Sequence, residues 1–446
     1  MSLFSFLRPK SAMSSAPGTP GVCAALDVGS SKIACFISKT EQTAAGPRPR
    51  VVGVGHQSSR GVRAGAIVDM DAAAGAIRSA VEQAERMAGL AVTAVTVTLS
   101  AGQPNSSRLA AEIELSGGQV GDRDLRRLLN GALAEFYAGD RVLLHAIPLA
   151  WSVDDHRGVR DPRGMHGKTL GVEVHVVTAA AGPLRNLMSA VERCHLDFRG
   201  AVATPYASGL SALADDEVNL GVTLLDMGAG ATTAAIFSEG ALYHVDSVPV
   251  GGAHVTSDVA RGLSTPISAA ERLKTLYGSA LDTPDDDQQM IEVPPVSGET
   301  ASGYGSAPRS LLNAIIRPRL EETFELIRDR LEAAGVDHVG GRRMVLTGGA
   351  AQLPGATELA SRIFGRQVRL GVPTGVAGMG DAVSGPAFSA VAGVVLRQTR
   401  GAAEAIAGPP RLSAASRNRA PQPEIAGDAA AQKGAGAMWR WLAESF

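Results

Sequence analysis

The chain has 446 residues, 45% of them hydrophobic and 19% charged, which predicts a globular protein of two or more domains rather than a disordered one. A formal net charge of -2 and the lack of an aromatic-basic platform argue against a nucleic-acid partner. Three cysteines (Cys23, Cys35, Cys194) without a C-x-x-C pair, and histidines without ligand spacing, give neither a disulfide framework nor a thiolate or H-E-x-x-H metal site. No apolar run reaches the roughly 18 residues needed to span a bilayer, and MSLFSFLRPK lacks the features of a secretory leader, so the protein is expected neither to be exported nor to cross a membrane.

Residues 1–20, rich in Ser, Ala and Pro, read as a loose tail. Strands are predicted over 24–38 and 51–54, and a helix over 72–89 with Ile77, Val81 and Ala84 on one face. VTAVTVTL, from Val92, alternates with the period of a strand. The texture then changes between Gly102 and Thr178. A Gly117-Gly118 hairpin signal, a short helix over 122–138, and strands near 143–153 and 170–178 suggest a compact inserted α+β subdomain. A helix at 182–194 and strands near Ala201 and Val222 resume the alternation. Residues 281–308, with many Pro, Gly and Ser, read as a mobile loop. A long amphipathic helix is expected over 311–334, with Pro318 bending it or marking its start. Residues 401–436 have linker composition.

Two segments carry the chemistry. LDVGSSKIACFI begins at Leu26 and LDMGAGATTAAIF at Leu225. Each places an Asp at the end of an apolar strand, followed by a small-residue turn and a second apolar strand. Gly29, Gly228 and Gly230 permit close backbone approach, and consecutive N–H groups in such a turn form a concave anion site suited to phosphate. Asp27 and Asp226 would face that site and hold Mg²⁺ through its waters, while Lys32 would neutralise phosphate oxygens. One copy alone reads as an ordinary hairpin turn; two copies with matched Asp–Gly spacing favour phosphate. A third segment, MVLTGGAAQLPGATELASRIFG from Met344, is a strand, a Gly348-Gly349 turn and a helix. There, with Ala350, a flat base or an α-phosphate would lie against the backbone. Two other motifs fail on inspection. GMHGKT has Pro162 where a P-loop needs its first Gly, and GVGHQS has Ser58 where a dinucleotide fingerprint needs Gly.

Two hairpin phosphate loops followed by a strand–Gly-Gly–helix motif resemble the actin, Hsp70 and sugar-kinase superfamily. Within it, the sequence resembles the FtsA family. The sharpest likeness is HAIPLAWSVDDHRGVRDPRGMHGKTLGVEVHVVTA from His145, with VATPYASGLSAL after Val202, VPVGGAHVTSDVA from Val248, AERLKTLYG from Ala270 and a terminal amphipathic segment. The resemblance implies a two-lobed actin-like α/β fold of duplicated RNase H-like domains. Lobe one would span 21–218, with the family insertion at about 98–178. Lobe two would span 219–378, with a smaller subdomain at about 254–330, and 379–400 would return to lobe one. It implies ATP and Mg²⁺ in the central cleft. Asp27, Gly29, Ser30, Ser31 and Lys32 would grip phosphate from one side, and Asp226, Gly228, Gly230 and Thr232 from the other. Gly251 and Gly252 would approach the nucleotide, and Glu271 and Lys274 would reach ribose or adenine. By spacing alone that last pair reads equally well as a solvated ion pair.

Many superfamily members carry Glu or Gln before the Pro of this P-x-A-S stretch to position the attacking water. Thr204 stands there, a poorer base, so at most weak ATPase activity is expected and the protein reads mainly as a scaffold. The resemblance further implies self-assembly, recruitment of other division proteins, and binding of the FtsZ C-terminal peptide, with Arg317 as a contact. Residues 437–446 place Met438, Trp439, Trp441, Leu442 and Phe446 on one broad face, opposite Arg440 and Glu444. Such a helix would insert shallowly at the cytoplasmic face of the inner membrane, at the division septum. The alternatives are another actin-like scaffold of the pilus-assembly type and a small-molecule kinase of the same superfamily.

Overall fold

In the computed structural model, residues 21–44, 46–135, 140–296, 305–400 and 404–405 are described. The predicted tail at 1–20, the linker apart from Glu404 and Ala405, and the amphipathic segment 437–446 lie outside the described residues.

The first apolar stretch folds as two strands, because Gly29–Ser31 turns the chain. The meander β1 (Val22–Val28), β2 (Lys32–Thr43) and β3 (Gly46–Ser58) is antiparallel throughout. Two short strands, β4 (Val62–Arg63) and β5 (Ala66–Ile67), lead into α1 (Met70–Ala88). The Asp69 carboxylate caps that helix by accepting from the Asp71 and Ala72 amides at 3.1 and 3.0 Å, and Gly89 ends it in the left-handed conformation. Next comes β6 (Ala94–Leu99), parallel to β1. Its alternating Val and Thr predict one wet face, yet every residue is buried, since a central parallel strand is covered on both sides.

The insertion follows: β7 (Asn105–Glu114), α2 (Asp122–Glu135), β8 (Arg141–Val153), β9 (His156–Val159) and β10 (Thr169–Ala180). Its four-stranded antiparallel sheet has the order β7-β10-β8-β9, and Leu125, Leu128 and Leu129 of α2 pack on Trp151, Leu170 and Val172. The Gly117-Gly118 pair makes no hairpin; it lies in the connection from β7 into α2. The chain returns through α3 (Ala181–Glu192) to β11 (Asp197–Ala203), α4 (Thr204–Ala212) and α5 (Asp215–Leu220).

The second half repeats the first. Strands β12 (Val222–Met227), β13 (Thr232–Ser238) and β14 (Ala241–Val248) form the meander, followed by α6 (Gly252–Gly262) and α7 (Ile267–Tyr277). Then come β15 (Met290–Val293), β16 (Gly305–Pro308), α8 (Arg309–Ala333), β17 (Arg343–Thr347), α9 (Ala356–Phe364), β18 (Gln367–Leu370) and α10 (Ser389–Arg400). One five-stranded sheet runs β3-β2-β1-β6-β11 and the other β14-β13-β12-β17-β18, each an antiparallel meander continued by two parallel strands. Between them lie α4 and α10. A Cβ at Gly393 of α10 would overlap the Ala207 carbonyl of α4, so the two helices touch backbone to backbone.

Two expectations are corrected in the second lobe. The proposed loop at 281–308 contains a pair of strands, β15 with β16, and a buried anchor: Asp286, 1% exposed, accepts from Thr283 and from Asn313 at 2.9 Å. Pro318 neither starts nor ends a helix. Continuous α8 runs through it, because Leu312, Ile316, Leu320, Phe324, Ile327 and Leu331 are all buried in one core and outweigh a single missing N–H.

The insertion also touches the second lobe directly. His175 of β10 is fully buried, and its Nδ1–H donates to the Leu242 carbonyl of β14 at 2.9 Å. Its Nε2 accepts from the Ser106 hydroxyl at 2.9 Å, and that oxygen in turn accepts from the Val245 amide at 2.7 Å. The Arg108 guanidinium stacks 3.8 Å from the Tyr243 ring centre. Burial pushes the His175 imidazole down to about 3 from its ordinary value. With the folded value below the unfolded one, the contact is fully stable above about pH 6.5 and is lost as pH falls toward 3. His175→Asn is therefore expected to flatten the acid limb of a melting-temperature profile between those values. An unchanged limb counts against this contact.

Candidate nucleotide-binding site

Both meanders make the same first turn. The Gly29 amide donates to the Lys32 carbonyl at 3.0 Å, and the Gly228 amide to the Ala231 carbonyl at 3.0 Å. Each turn follows an Asp at the carboxyl end of the central strand, where open α/β sheets place their ligands. The two turns meet: a Cβ on Gly230 would lie 2.6 Å from the Ser30 hydroxyl and 2.7 Å from Ala64. Ser30 is itself fixed, accepting from the Gly65 amide at 2.9 Å.

Around this junction is a cavity of about 910 Å³, within the usual size of a cofactor site. It brings together Asp27, Gly29, Ser30, Ser31 and Lys32 from the first turn and Asp226, Gly228 and Gly230 from the second. Gly252, Glu271, Lys274, Gly348, Gly349 and Ala350 also line it. Thr204 does so from the start of α4.

Two predicted residues do not join them. Thr232 turns its hydroxyl to the Val250 carbonyl at 2.8 Å; its neighbour Thr233, across the strand pair from Asp226, faces the cavity instead. The Thr233 hydroxyl is buried and has no hydrogen-bond partner among the described residues. Gly251 supports the turn rather than the cavity. Residues Gly252 and Ala253 donate to the Gly228 and Ala229 carbonyls at 3.0 and 2.8 Å, leaving no room for a side chain at Gly251.

Asp27 accepts from the Thr98 hydroxyl at 2.6 Å and lies 3.6 Å from the Lys32 ammonium. Lys32 also donates to the Ala387 carbonyl and sits 4.6 Å from the Phe388 ring centre, so the segment before α10 holds it in place. Asp226 accepts from the Ser208 hydroxyl of α4. Burial pushes its carboxyl up to about 6, against the Ser208 hydrogen bond, with the Asp27 charge adding and Lys32 opposing. Gly348, at φ +87°, packs on Asp226 and Met227, so Gly349 and Ala350 are the more open part of that turn. Glu271 and Lys274 form their ion pair at 2.7 Å, and Lys274 also donates to Thr256 at 2.8 Å and the Gly252 carbonyl at 3.2 Å. Sequence reasoning missed Thr256, Thr233, Ser208 and Thr98, whose roles depend on which face of a strand or helix they occupy. Arg317 is held by Glu321 at 2.7 Å and Asp282 at 3.3 Å on α8 and its surroundings.

Duplicated sheets, a helix pair between them and paired Asp–turn motifs on one cavity define an actin-like protein. In solved structures the same fold is found in a PilM–PilN type IV pilus biogenesis complex, at TM-score 0.58 and 17% identity over 84% of this chain and 98% of that one. It is found again in MreB5 of Spiroplasma citri bound to ADP, at TM-score 0.50 and 12% identity over 86% and 99%. The family profile for cell division protein FtsA matches residues 223–393, and that for the SHS2 domain inserted in FtsA matches residues 101–178. Cell division protein FtsA of Agrobacterium fabrum is 47% identical over 382 residues, 84% of this chain and 86% of its own length. The Pseudomonas aeruginosa protein is 35% identical over 83% and 88%, and that of Escherichia coli 31% over 83% and 88%. The chain belongs to the FtsA family of cell division proteins.

The Gly251 contact gives a direct test of the turn. Gly251→Ala is expected to lower the thermal midpoint by several degrees, whereas Gly75→Ala, in open space on α1, leaves it level or raises it. Equal midpoints for the two variants would refute the close approach at Gly251.

Proposed function

We propose that this chain is an ATP-binding, actin-like scaffold that ties the FtsZ ring to the cytoplasmic face of the inner membrane at the septum and helps assemble the other division proteins there. The observation that carries the nucleotide part is the convergence of two equivalent turns, with Asp27, Lys32 and Asp226, on one cavity. An unpartnered Thr233 hydroxyl and bare glycine backbone suit phosphate oxygens. The ADP bound to the MreB5 neighbour agrees with this reading.

Among the described residues no cluster of three or more His, Cys, Asp or Glu could enclose a metal. Mg²⁺ keeps most of its own waters, so Asp27 and Asp226 would hold it through them beside the phosphates. Its role would be to neutralise charge on the triphosphate. Lys32 adds a cation from the first lobe, and Lys274 and Glu271 would border the ribose or base. The carboxylates lining the cavity are Asp27, Asp226 and Glu271, the last paired with Lys274. Among the described residues that leaves no carboxylate free as a base toward a second substrate, which disfavours a small-molecule kinase. Thr204 in place of a carboxylate or amide favours slow hydrolysis, as suits a protein whose bound state is its working state.

Anchoring rests on two further segments. The second-lobe surface around α8 would take the acidic FtsZ peptide, with Arg317 reaching it by exchanging Asp282 or Glu321 for a peptide carboxylate. Residues 437–446 would supply the membrane foot. One such helix binds weakly, so copies arrayed on a polymer would attach firmly together.

Calorimetric titration with ATP and Mg²⁺ tests the first part. Lys32→Ala is expected to weaken binding by about tenfold or more, or roughly 1.4 kcal/mol, and Thr233→Val by a few-fold. The reading fails if the unaltered chain binds no nucleotide, or if Lys32→Ala binds it equally well. For the second part, the full chain should co-sediment with vesicles and retain an FtsZ C-terminal peptide. Removing 437–446 should abolish sedimentation alone; loss of neither property on truncation would remove the membrane assignment.

A further inference from the structure

Just beyond α10 in the sequence lies a buried acidic side chain. Glu404, with its side chain 1% exposed, accepts from Arg397 Nε at 2.9 Å and from His145 Nδ1–H at 3.0 Å. His145, also fully buried, uses its other ring nitrogen to accept from the Ala203 amide at 3.0 Å, which fixes its tautomer. Tyr206 lies edge-on to the imidazole, ring centres 5.0 Å apart, and its hydroxyl reaches the same carboxylate. Beside it, the Ala405 amide donates to the Ala146 carbonyl of β8 at 2.8 Å, and Ala405 packs against the core of the insertion.

Four elements therefore share one buried carboxylate: the segment after α10, α10 itself, β8 of the insertion, and the corner where β11 becomes α4. Thr204, which lines the cavity, lies between Ala203 and Tyr206 in that corner. Withdrawing Glu404 would leave the fully buried His145 Nδ1–H without its acceptor and the part-buried Arg397 guanidinium without its carboxylate, and such unpaired groups are costly. The helix α4 also carries Ser208, the hydrogen-bond donor to Asp226.

We propose that Glu404 is a latch coupling the C-terminal extension of the chain to the nucleotide cleft. Docked, it braces the β11–α4 corner in the arrangement that lines the cavity; undocked, it frees the extension and relaxes the corner. Because coupling between two sites is reciprocal, nucleotide in the cleft would favour docking to the same degree that docking favours nucleotide. The inference rests on the nucleotide reading of the cleft, and its test separates the two.

Trypsin cleavage after Arg400, in a site that runs on toward Glu404, reports docking in the full chain. Without nucleotide, Glu404→Gln is expected to be cut several-fold faster than the unaltered protein. Saturating ATP and Mg²⁺ should slow cleavage of the unaltered protein, and Glu404→Gln should weaken ATP binding about three- to tenfold. The comparison with and without ATP needs no variant, so it stands even if Glu404→Gln folds poorly. Cleavage of the unaltered protein at the same rate with ATP bound overturns the coupling. Cleavage of Glu404→Gln at the unaltered rate overturns the latch itself. If calorimetry finds no ATP binding, the cleft assignment and the coupling fall together, and nucleotide-free cleavage of the two proteins still decides whether Glu404 holds the extension.

Discussion

The backbone contact between α4 and α10 sets the geometry of everything around it. Where Gly393 meets the Ala207 carbonyl, the two helices touch backbone to backbone. From α4 come Thr204 on the cavity wall and Ser208 beneath Asp226. From the segment leading into α10 come Ala387 and Phe388, which seat Lys32. A larger residue at position 393 would push the helices apart and, with them, the two turns whose contact at Gly230 and Ser30 closes the junction. Small residues in the helices thus do for the cleft what the conspicuous glycines do in the turns.

The repeated half was legible because its signal is local. Asp, Gly and a following apolar run lie within a few residues of one another in both copies, and the hairpin they dictate needs no distant partner. The helix α1 was legible for the same reason: its apolar face of Ile77, Val81 and Ala84 predicts a helix over 72–89, and it runs over Met70–Ala88. What escaped the sequence depends on facing and on distance. Thr232 and Thr233 are chemically identical, and only the register of β13 against β12 decides which one sees the cavity. Strand β7 was missed because its exposed and half-buried residues alternate without a strong apolar stripe. Pro318 misled because propensity weighs one missing donor, while the fold weighs six buried side chains along the same helix. Glu404 sits in a stretch of linker composition, and its partner His145 is 259 positions away, so no window along the chain contains both.

The insertion distinguishes this body from a plain pair of duplicated sheets. It is a small α+β unit with its own core, yet it is tied at both flanks: through His145 and Ala146 to the region of α10, and through Ser106 and His175 to β14. Its interior is therefore apolar, and the groups that specify where it sits are polar. Polar contacts of this kind fix position through direction, whereas apolar contacts tolerate sliding.

The seam between β10 and β14 has a mechanical consequence. Two lobes joined only by helices at their base can rotate like the halves of a book, but a second attachment off the axis converts that joint into a truss. Relative rotation then requires either breaking the Ser106–Val245 and His175–Leu242 bonds or carrying the insertion along as a rigid passenger. Motion at the cleft would thereby carry the insertion with it, so the two would move together.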